Sequence, residues 1–439
     1  MSRLLVVEDD SSVRNTVVTF LELEGYEVDA VSSTREALQR LSQNSYPIVL
    51  SDIYLDERTG LDVLQAAKNS NPDCAVILMT GRGTMETVMR ATQGGAFDYI
   101  AKPFELDRLL ETLKRAEDTA DESGDDEEVE HEDLPPTEMI ASSAPMVEIY
   151  KTVSLVATKE TTILIEGETG TGKELLARML HRYSRRSDQP FLAVDCGAIA
   201  PTLIESELFG AVRGAYTGSD RDRVGVFEAA NRGTVFLDEI GEVDQSFQLK
   251  LLRFLQEREI RPVGSPRSRQ IDVRVVAATN RDLHKLVQDG KFREDLWYRL
   301  AVIRIKMPPL RERHGDVPLL AQHFVERSNQ RFGTSARLTE SGLKTLNEYT
   351  WPGNIRQLQH LIERLCILTP GGRIDEFAVR EAIASMQPDD VSNETLADTE
   401  ADQIRKVLAA AGGNKSRAAK ILGIERKTLY RKLERMGLH

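Results

Sequence analysis

Short apolar runs alternate with amphipathic stretches over the first 116 residues of this 439-residue chain. Three of these runs predict buried strands, namely Leu4–Val7, Ile48–Leu50 and Ala75–Met79. The stretches Ser12–Glu24 and Leu61–Asn69 carry apolar residues at helical spacing. Alternation of strands and helices predicts a parallel sheet with helices on both faces, which is a doubly wound, flavodoxin-like α/β fold.

The same alternation returns in a second region, residues 137–386. Its apolar runs Thr162–Ile165, Thr234–Leu237 and Val273–Thr279 predict three further strands. After Pro308 the pattern becomes mostly helical. We therefore expect a second α/β domain with a helical lid.

Polar stretches divide the chain into three modules. Residues 117–133 hold eleven acids and no Lys or Arg, a composition that cannot bury a core. A second polar stretch begins at Gln387. The expected divisions are residues 1–116, a linker over 117–136, residues 137–386, a linker over 387–395, and residues 396–439.

The formal net charge of −13 is distributed unevenly. Residues 401–439 carry ten Lys and Arg against three acids, so the rest of the chain is strongly acidic. A basic end on an acidic protein suggests a local contact with nucleic acid. A solvated pair of charged helices would give the same composition.

Cysteine usage and hydropathy bear on the compartment. The three cysteines are scattered, with neither disulfide nor zinc spacing, which favours a reducing compartment. No apolar run approaches the roughly 20 residues of a membrane span. We expect a cytoplasmic protein that has no membrane partner.

Acids follow the predicted strands of the first module. Glu8 and Asp9 come after the first strand and Asp52 after the third, and sites in open parallel sheets form at the carboxyl ends of strands. Converging carboxylates suit Mg²⁺, and one of them can be the nucleophile that forms an aspartyl phosphate. Thr80 and Lys102, which follow later strands, would then contact the phosphoryl oxygens.

The alternative for these acids is that they only cap the following helices, as we expect for Asp10. The whole set, with Gly60 and the ending "DYIAKPF", resembles the receiver domain of two-component response regulators. The resemblance implies that Asp52 is the phosphoacceptor of a sensor histidine kinase. It also implies that Tyr99 is the switch aromatic, for which half-buried packing is the alternative.

The segment "GETGTGKE" lies between a predicted strand and a predicted helix, as a phosphate-binding loop requires. Its candidate ATP-binding residues are Gly167, Glu168, Thr169, Gly170, Thr171, Gly172, Lys173 and Glu174. A Ser or Thr usually ends this motif and holds Mg²⁺, so Glu174 shifts metal binding toward Asp238. Asp238 and Glu239 end the apolar run "GTVFLDEI", where one acid would hold Mg²⁺ and one would activate water. The alternatives are structural: the glycine-rich segment would be only a turn, and the acid pair would only cap a helix.

Hydrolysis of ATP also needs positive charge near the γ-phosphate. The segment "FREDLWYRL" supplies Arg293 and Arg299, and "WPGNIRQLQ" supplies Arg356. Each could equally be an ordinary arginine in a salt bridge, and sequence spacing alone does not place them.

Several motifs occur in the order seen in bacterial enhancer-binding proteins, the AAA+ activators of sigma-54 RNA polymerase. They are "GETGTGKE", "ESELFG", "GAYTGS", "GTVFLDEI", "AATNRDL", "FREDLWYRL", "MPPLRER" and "WPGNIRQLQ". The resemblance implies a P-loop α/β domain that assembles as a homo-oligomeric ring, usually a hexamer, with ATP between subunits. It implies that Arg293 and Arg299 reach a neighbour's nucleotide. Asn280 would sense the γ-phosphate, and Arg356 would report it to the lid.

Two places depart from that family's pattern. Asp195 stands where members commonly have an asparagine that links the catalytic glutamate to the nucleotide, and it would place negative charge near Glu239. The segment "GAYTGS" resembles the loop that touches sigma-54, with Tyr216 for phenylalanine and Ser219 for alanine. Its residues are Gly214, Ala215, Tyr216, Thr217, Gly218 and Ser219. The aromatic anchor is retained, and a plain surface hairpin is the alternative.

The basic end predicts a short helix, a turn at Gly423 and a second helix, the pattern of an all-α helix-turn-helix domain. It resembles the Fis-type domain that ends NtrC-like activators. The second helix would present basic and polar side chains to enhancer DNA, namely Arg426, Lys427, Thr428, Arg431 and Lys432. A dimerising helical hairpin is the alternative.

Taken together, these patterns predict a multidomain α/β transcription activator that is controlled by phosphorylation and driven by ATP. Two alternatives stay open. One is a DNA-binding response regulator whose ATPase no longer engages sigma-54. The other is an AAA+ remodeller of other proteins, against which the receiver and the helix-turn-helix pattern both argue.

Overall fold

Two separate parallel sheets form from the apolar runs. The computed structural model describes residues 3–55, 59–81, 85–102, 104–119, 139–215, 222–369 and 372–386, together with Lys415, Ala419 and Leu429. The chain divides into two compact units, residues 1–375 and residues 376–439.

The first sheet confirms the doubly wound class predicted for the first module. Its strands are β1 (Arg3–Val7), β2 (Glu27–Val31), β3 (Ile48–Asp52), β4 (Ala75–Thr80) and β5 (Asp98–Ala101). All neighbours are parallel, in the order β2-β1-β3-β4-β5. The three strands expected from the apolar runs are present, each with one or two further residues.

Helices pack on both faces of this sheet. They are α1 (Ser11–Leu23), α2 (Thr34–Gln43), α3 (Gly60–Ser70), α4 (Met85–Gln93) and α5 (Leu106–Thr119). Alternate residues of β1 enter opposite apolar clusters, because side chains of a strand alternate between faces. Asp10 caps α1 as expected, since its carboxylate accepts from the Ser12 and Val13 amides at 2.7 and 3.2 Å.

The second sheet supports the nucleotide loop. Its region contains the strands β6 (Ile163–Glu166), β7 (Phe191–Asp195), β8 (Thr234–Asp238), β9 (Glu259–Ile260), β10 (Arg269–Gln270), β11 (Arg274–Thr279) and β12 (Ile303–Lys306). Five of them form a parallel sheet in the order β12-β6-β11-β8-β7, while β9 and β10 pair with each other. The carboxyl ends of β6, β8 and β11 therefore lie side by side.

Seven helices belong to the same region. They are α6 (Ala144–Val156), α7 (Lys173–Arg182), α8 (Pro201–Phe209), α9 (Val226–Ala229), α10 (Gln245–Glu257), α11 (Leu283–Gln288) and α12 (Glu294–Leu300). Helix α7 begins directly after the phosphate loop, with Gly172 at its N-cap.

The region after Pro308 is mainly helical, as predicted. It contains α13 (Asp316–Phe332), β13 (Arg337–Leu338), α14 (Glu340–Glu348), α15 (Asn354–Leu368) and β14 (Arg373–Ile374). Buried Leu358, Leu361 and Leu365 recur at helical spacing along α15. A short 3₁₀ helix, Leu310–Glu312, joins this lid to β12.

Helix α6 contacts the first module directly. Its residues Val147 and Tyr150 belong to the same buried apolar cluster as Val88 and Met89 of α4. Lys151 of α6 forms a salt bridge with Asp98 at the start of β5. The first module and the second are thus joined by both apolar and charged contacts.

The second compact unit begins with α16 (Glu376–Ala384), in which Val379 and Ala382 are buried. Within the described part of the chain, no helix is long and apolar enough to cross a membrane.

Candidate functional sites

The first candidate site is an acidic pocket at the carboxyl edge of the first sheet. Glu8 and Asp9 follow β1, and Asp52 ends the neighbouring strand β3. Carboxylate oxygens of all three lie within 4.8 Å of one another. Glu8 and Asp52 are buried, whereas Asp9 is exposed. The fold thus brings the three predicted acids together.

Lys102 reaches this pocket from the end of β5. Its Nζ donates to Asp52 Oδ2 at 2.6 Å and also to Glu8 Oε2. Burial lowers the pKa of Lys102, but the bonds to Asp52 and Glu8 outweigh burial and raise the pKa overall. Burial raises the pKa of Glu8 despite the bond from Lys102. The lysine therefore holds two like charges close together.

One carboxylate oxygen of the pocket has no hydrogen-bond partner among the described residues. Oε1 of Glu8 is buried and accepts no hydrogen bond from the described residues. An unbonded buried carboxylate oxygen is costly, and it lies among oxygen donors of the kind that Mg²⁺ prefers. The residues present therefore fit a divalent cation.

Thr80 lies on β4, next to β3, and Tyr99 lies on β5, the strand beyond β4. Thr80 ends β4 and is buried, and its carbonyl oxygen accepts from the Lys102 amide at 2.7 Å. Tyr99 on β5 is also buried, and burial raises the pKa of its phenol. Its ring belongs to the apolar cluster that includes α6, so the expected switch aromatic lies on the side of the second module.

The second candidate site surrounds the predicted phosphate loop between β6 and α7. Gly170 and Gly172 adopt left-handed backbone angles, with φ of 79° and 100°. A Cβ on Gly170 would lie 2.5 Å from the Gly353 carbonyl oxygen, so only glycine fits there. Lys173 Nζ donates to the carbonyl oxygens of Gly167 and Glu168 at 3.0 and 3.3 Å.

Asp238 and Glu239 lie beside this loop at the end of β8. Glu239 Oε1 is 4.0 Å from Lys173 Nζ, and its Oε2 accepts from the Asn280 amide at 3.3 Å. Asn280 also donates from Nδ2 to Thr169 Oγ1 at 3.1 Å, so it joins the acid pair to the loop. Burial raises the pKa of both Asp238 and Glu239.

Asp195 is the last residue of β7 and precedes a turn. Its Oδ1 accepts from the Gly197 and Ala198 amides at 2.9 and 3.1 Å, so the carboxylate closes its own turn. Its charge adds to the effect of burial in raising the pKa of Glu239. As expected, a negative charge lies near the acid pair.

The three candidate arginines are placed differently. Arg356 on α15 lies against the phosphate loop, with its Cβ 3.1 Å from the position a Cβ on Gly170 would take. Arg293 and Arg299 are exposed at the start and on the surface of α12. Arg293 pairs with Asp295 at 3.0 and 2.7 Å.

The carboxylates of Glu174 and Glu168 in the loop are each bonded to other side chains. The Glu174 carboxylate accepts from Arg178 one turn along α7. The Glu168 carboxylate pairs with Arg311 and Asn354 of the lid, two residues that sequence reasoning missed. The motifs "MPPLRER" and "WPGNIRQLQ" contained them, but motif order gives no side-chain partner.

Two predicted sites fall mainly outside the described residues. Of the loop, Gly214 has a left-handed φ of 79° and Ala215 donates its amide to the Val212 carbonyl oxygen. Outside the described residues lie Tyr216, Thr217, Gly218 and Ser219 of the loop, and Arg426, Lys427, Thr428, Arg431 and Lys432 of the basic end.

Four family models match successive parts of the chain. They are the response regulator receiver domain over residues 4–114, the sigma-54 interaction domain over 139–306, the AAA+ ATPase lid domain over 311–396, and the bacterial regulatory protein, Fis family, over 395–436.

Full-length relatives match with the same arrangement. The transcriptional regulatory protein ZraR of Salmonella typhimurium is 42% identical over 98% of both chains. The luminescence regulatory protein LuxO of Vibrio campbellii is 39% identical, again over 98% of both chains. The crystal structure of NtrX from Brucella abortus in complex with ATP is 31% identical, with a TM-score of 0.58 over 100% of both chains.

Fold and sites together define a response regulator that carries a nucleotide-binding AAA+ domain. The chain belongs to the family of two-component regulators that activate sigma-54-dependent transcription. Its function is that of a phosphorylation-controlled, enhancer-binding activator, as the sequence predicted.

Proposed function

We propose that a sensor histidine kinase phosphorylates Asp52 and that the acidic pocket is built for this transfer. A carboxylate oxygen of Asp52 attacks the phosphorus, the phosphorus–nitrogen bond of the phosphohistidine breaks, and the electron pair returns to the imidazole. Glu8, Asp9 and Asp52 would hold Mg²⁺, whose chemistry is to neutralise the phosphoryl oxygens. Lys102 and Thr80 would contact the same oxygens.

The nucleotide site is proposed to hydrolyse ATP. Glu239 takes a proton from water, the water oxygen attacks the γ-phosphorus, and the bond to the ADP oxygen breaks. Lys173 compensates the phosphate charge, and Asp238 would hold Mg²⁺. The observation that carries this function is the meeting of Lys173, Glu239 and Asn280 around one phosphate loop.

Hydrolysis would require a ring of copies of this chain. Arg293 and Arg299 are exposed, which suits arginines that reach a neighbour's nucleotide. Arg356 would report nucleotide to the lid from its place beside Gly170. Asp195 adds negative charge near Glu239 and would modify this response.

The output of the ring is proposed to be mechanical. The loop Gly214–Ser219, with Tyr216 at its tip, would contact sigma-54 RNA polymerase and remodel its closed promoter complex. The basic module, residues 396–439, would tether the ring to enhancer double-stranded DNA in the cytoplasm. The receiver would comprise residues 1–116 and the ATPase residues 137–386.

The contact between the receiver and α6 supports a route for the phosphorylation signal. The Thr80 carbonyl at the pocket accepts from Lys102 on the β5 side, and β5 begins at Asp98, which pairs with Lys151 of α6. A change at Asp52 that moves β5 would therefore alter the position of α6. The segment just before α6 contacts the lid in turn. The amides of Ser142 and Ser143 donate to the Asp316 carboxylate.

An in vitro transcription assay with sigma-54 polymerase tests the proposal. The protein should open its promoter only when ATP and acetyl phosphate are both present. Tyr216→Ala should keep ATPase activity but lose transcription, while Phe332→Ala, which removes another exposed aromatic, should keep both. Full activation by Tyr216→Ala would instead support a regulator whose ATPase does not engage sigma-54.

A further inference from the structure

The second residue of the phosphate loop is bonded to the lid. Arg311 donates from Nη2 to Glu168 Oε1 at 2.6 Å and from Nη1 to Oε2 at 3.0 Å, a two-point contact across 143 positions of sequence. Such parallel bonds fix the relative orientation of the two groups as well as holding them together. The arginine lies in the 3₁₀ helix that opens the lid.

Asn354 completes this contact from the start of α15. Its side chain is fully buried, and its Nδ2 donates to Glu168 Oε2 and to the Thr169 carbonyl oxygen, both at 3.1 Å. Its Oδ1 accepts from the Leu310 amide at 2.8 Å. Its left-handed φ of 52° is one that asparagine tolerates better than most residues. The Asn354 side chain therefore links the phosphate loop both to α15 and to the 3₁₀ helix that begins the lid.

The outer carbonyl groups of the loop are held in the same way. The Ile355 amide donates to the Gly170 carbonyl oxygen at 3.0 Å, and Arg313 Nη2 donates to the Thr171 carbonyl oxygen at 2.8 Å. With Thr169, three consecutive loop carbonyls accept from lid donors. Because the amides of such a loop would wrap the phosphate, a rotation of the lid would also disturb the phosphate cradle.

We propose that Glu168 is a positioning residue that couples the lid to the phosphate loop through Arg311 and Asn354. We name these three residues the loop–lid clamp. The clamp makes lid orientation and nucleotide retention one equilibrium, and Glu168 acts on the nucleotide only through its lid partners. This inference rests on the proposed nucleotide site.

A direct contact between Glu168 and the nucleotide is the competing explanation. It is disfavoured because both carboxylate oxygens already accept from three nitrogen donors of the lid. The ion pair itself is about 43% exposed on each side, and exposed pairs contribute little to global stability. The effect is therefore expected in nucleotide exchange rather than in folding.

A double-mutant cycle on the full-length protein tests the clamp, with a fluorescent ADP analogue as the probe. Glu168→Gln and Arg311→Gln should each weaken binding about fivefold to tenfold, mainly through faster dissociation, as coupled neighbours do. The double variant should be no worse than either single one. Arg331→Gln, which changes a lid arginine that faces Glu363 at 3.9 Å, is the matched control and should bind as wild type does.

Steady-state hydrolysis and a conservative variant sharpen the test. The Michaelis constant should rise with kcat nearly unchanged, as expected for lost ground-state binding. Arg311→Lys keeps the charge but loses the two-point geometry, and it should fall between wild type and Arg311→Gln.

Additive losses in the double variant would show that Glu168 contacts the nucleotide itself and would overturn the clamp. Wild-type affinity in both single variants would overturn it as well. If wild-type protein failed to bind the analogue, the nucleotide site and the clamp would both fall. If wild-type protein bound the analogue but the cycle showed no coupling between Glu168 and Arg311, the clamp alone would be overturned.

Discussion

The two acidic sites of this protein differ in how their charge is compensated. In the receiver, Lys102 donates to both Glu8 and Asp52, so the neutralising cation comes from the same domain. In the ATPase, Lys173 stands 4.0 Å from Glu239 and donates to loop carbonyls instead. The receiver pocket therefore has its counter-charge within its own domain, whereas Arg293 and Arg299, the arginines expected to serve the γ-phosphate, are exposed on the surface.

This difference has a physical basis in what each site must do. A buried pair of carboxylates close together needs a fixed counter-charge in order to stay folded. An ATPase that hydrolyses ATP only when assembled needs the opposite arrangement, in which a positive charge at the γ-phosphate comes from a neighbouring subunit. The exposed position of Arg293, whose side chain pairs with neighbouring Asp295, agrees with that role.

The largest expected effect is at the self-contained site. Asp52→Asn should abolish labelling by acetyl phosphate, because an amide cannot form the acyl phosphate. Asp62→Asn, which changes an acid at the start of α3, should label normally. Phosphoprotein gels would measure both, and label on Asp52→Asn would move the phosphosite elsewhere.

The second largest effect is expected at Arg293, the arginine proposed to reach the nucleotide of a neighbouring subunit. Arg293→Ala should reduce kcat by about 10³-fold or more, the range seen for arginine fingers. Mixing it with Lys173→Ala should restore part of the hydrolysis, because mixed rings contain some complete interfaces.

Exposed Arg327→Ala is the control for that experiment and should hydrolyse ATP at the wild-type rate. If no mixing ratio restored activity, Arg293 would not act between subunits, and the contrast between the two sites would weaken.

Glu239→Gln should lower kcat by about 10²–10⁴-fold, the usual contribution of a general base. Nucleotide binding should persist, because the loop keeps Lys173. Glu242→Gln changes a nearby acid that pairs with Arg281 and should have little effect. Equal losses in the two variants, measured by phosphate release, would argue against a specific role for Glu239.

The smallest effect is expected at the salt bridge between Asp98 and Lys151, which joins the receiver to α6. Burial would raise the pKa of Asp98, but Lys151, the Tyr99 amide and Arg115 outweigh it, and the pKa is lowered. Lys151→Met should therefore cost about 1.5–3 kcal/mol at neutral pH, as for hydrogen bonds to charged groups.

The sign of its pH dependence follows. A lowered pKa in the folded state gives stability that is present above the ordinary aspartate pKa of about 3.9 and is lost as the pH falls through the folded value. The difference between wild type and Lys151→Met in thermal unfolding should be constant near pH 7 and shrink below about pH 4. Lys159→Met is the control, and a difference independent of pH would exclude the ion pair as its cause.

Much of the fold could be read from the sequence because its signals are local. Apolar runs set β1, β3, β4 and β8 nearly to the residue, and glycine spacing marked the phosphate loop. The acids at strand ends were expected to converge because parallel strands end on the same edge of a sheet, and Glu8, Asp9 and Asp52 do so.

Motif reasoning did not supply the hydrogen-bond partners of side chains that could bond to more than one group. Glu168 was expected among the ATP-binding residues, yet its carboxylate bonds to residues 143 and 186 positions away. Asp195 was expected to influence Glu239 and does so by charge, while its hydrogen bonds go to its own turn. Nothing in the local sequence around Glu168 shows its partners.

The sequence by itself indicated the order of the modules and three strands in each of the two five-stranded sheets, and it predicted the chemical type of each site, since backbone periodicity and short motifs act over a few residues. Only the tertiary structure decided that Lys102 bridges the receiver acids, that Lys151 joins the receiver to α6, and that the lid holds the phosphate loop. Those contacts join segments distant along the chain, and their geometry exists only after the sheets and helices have packed.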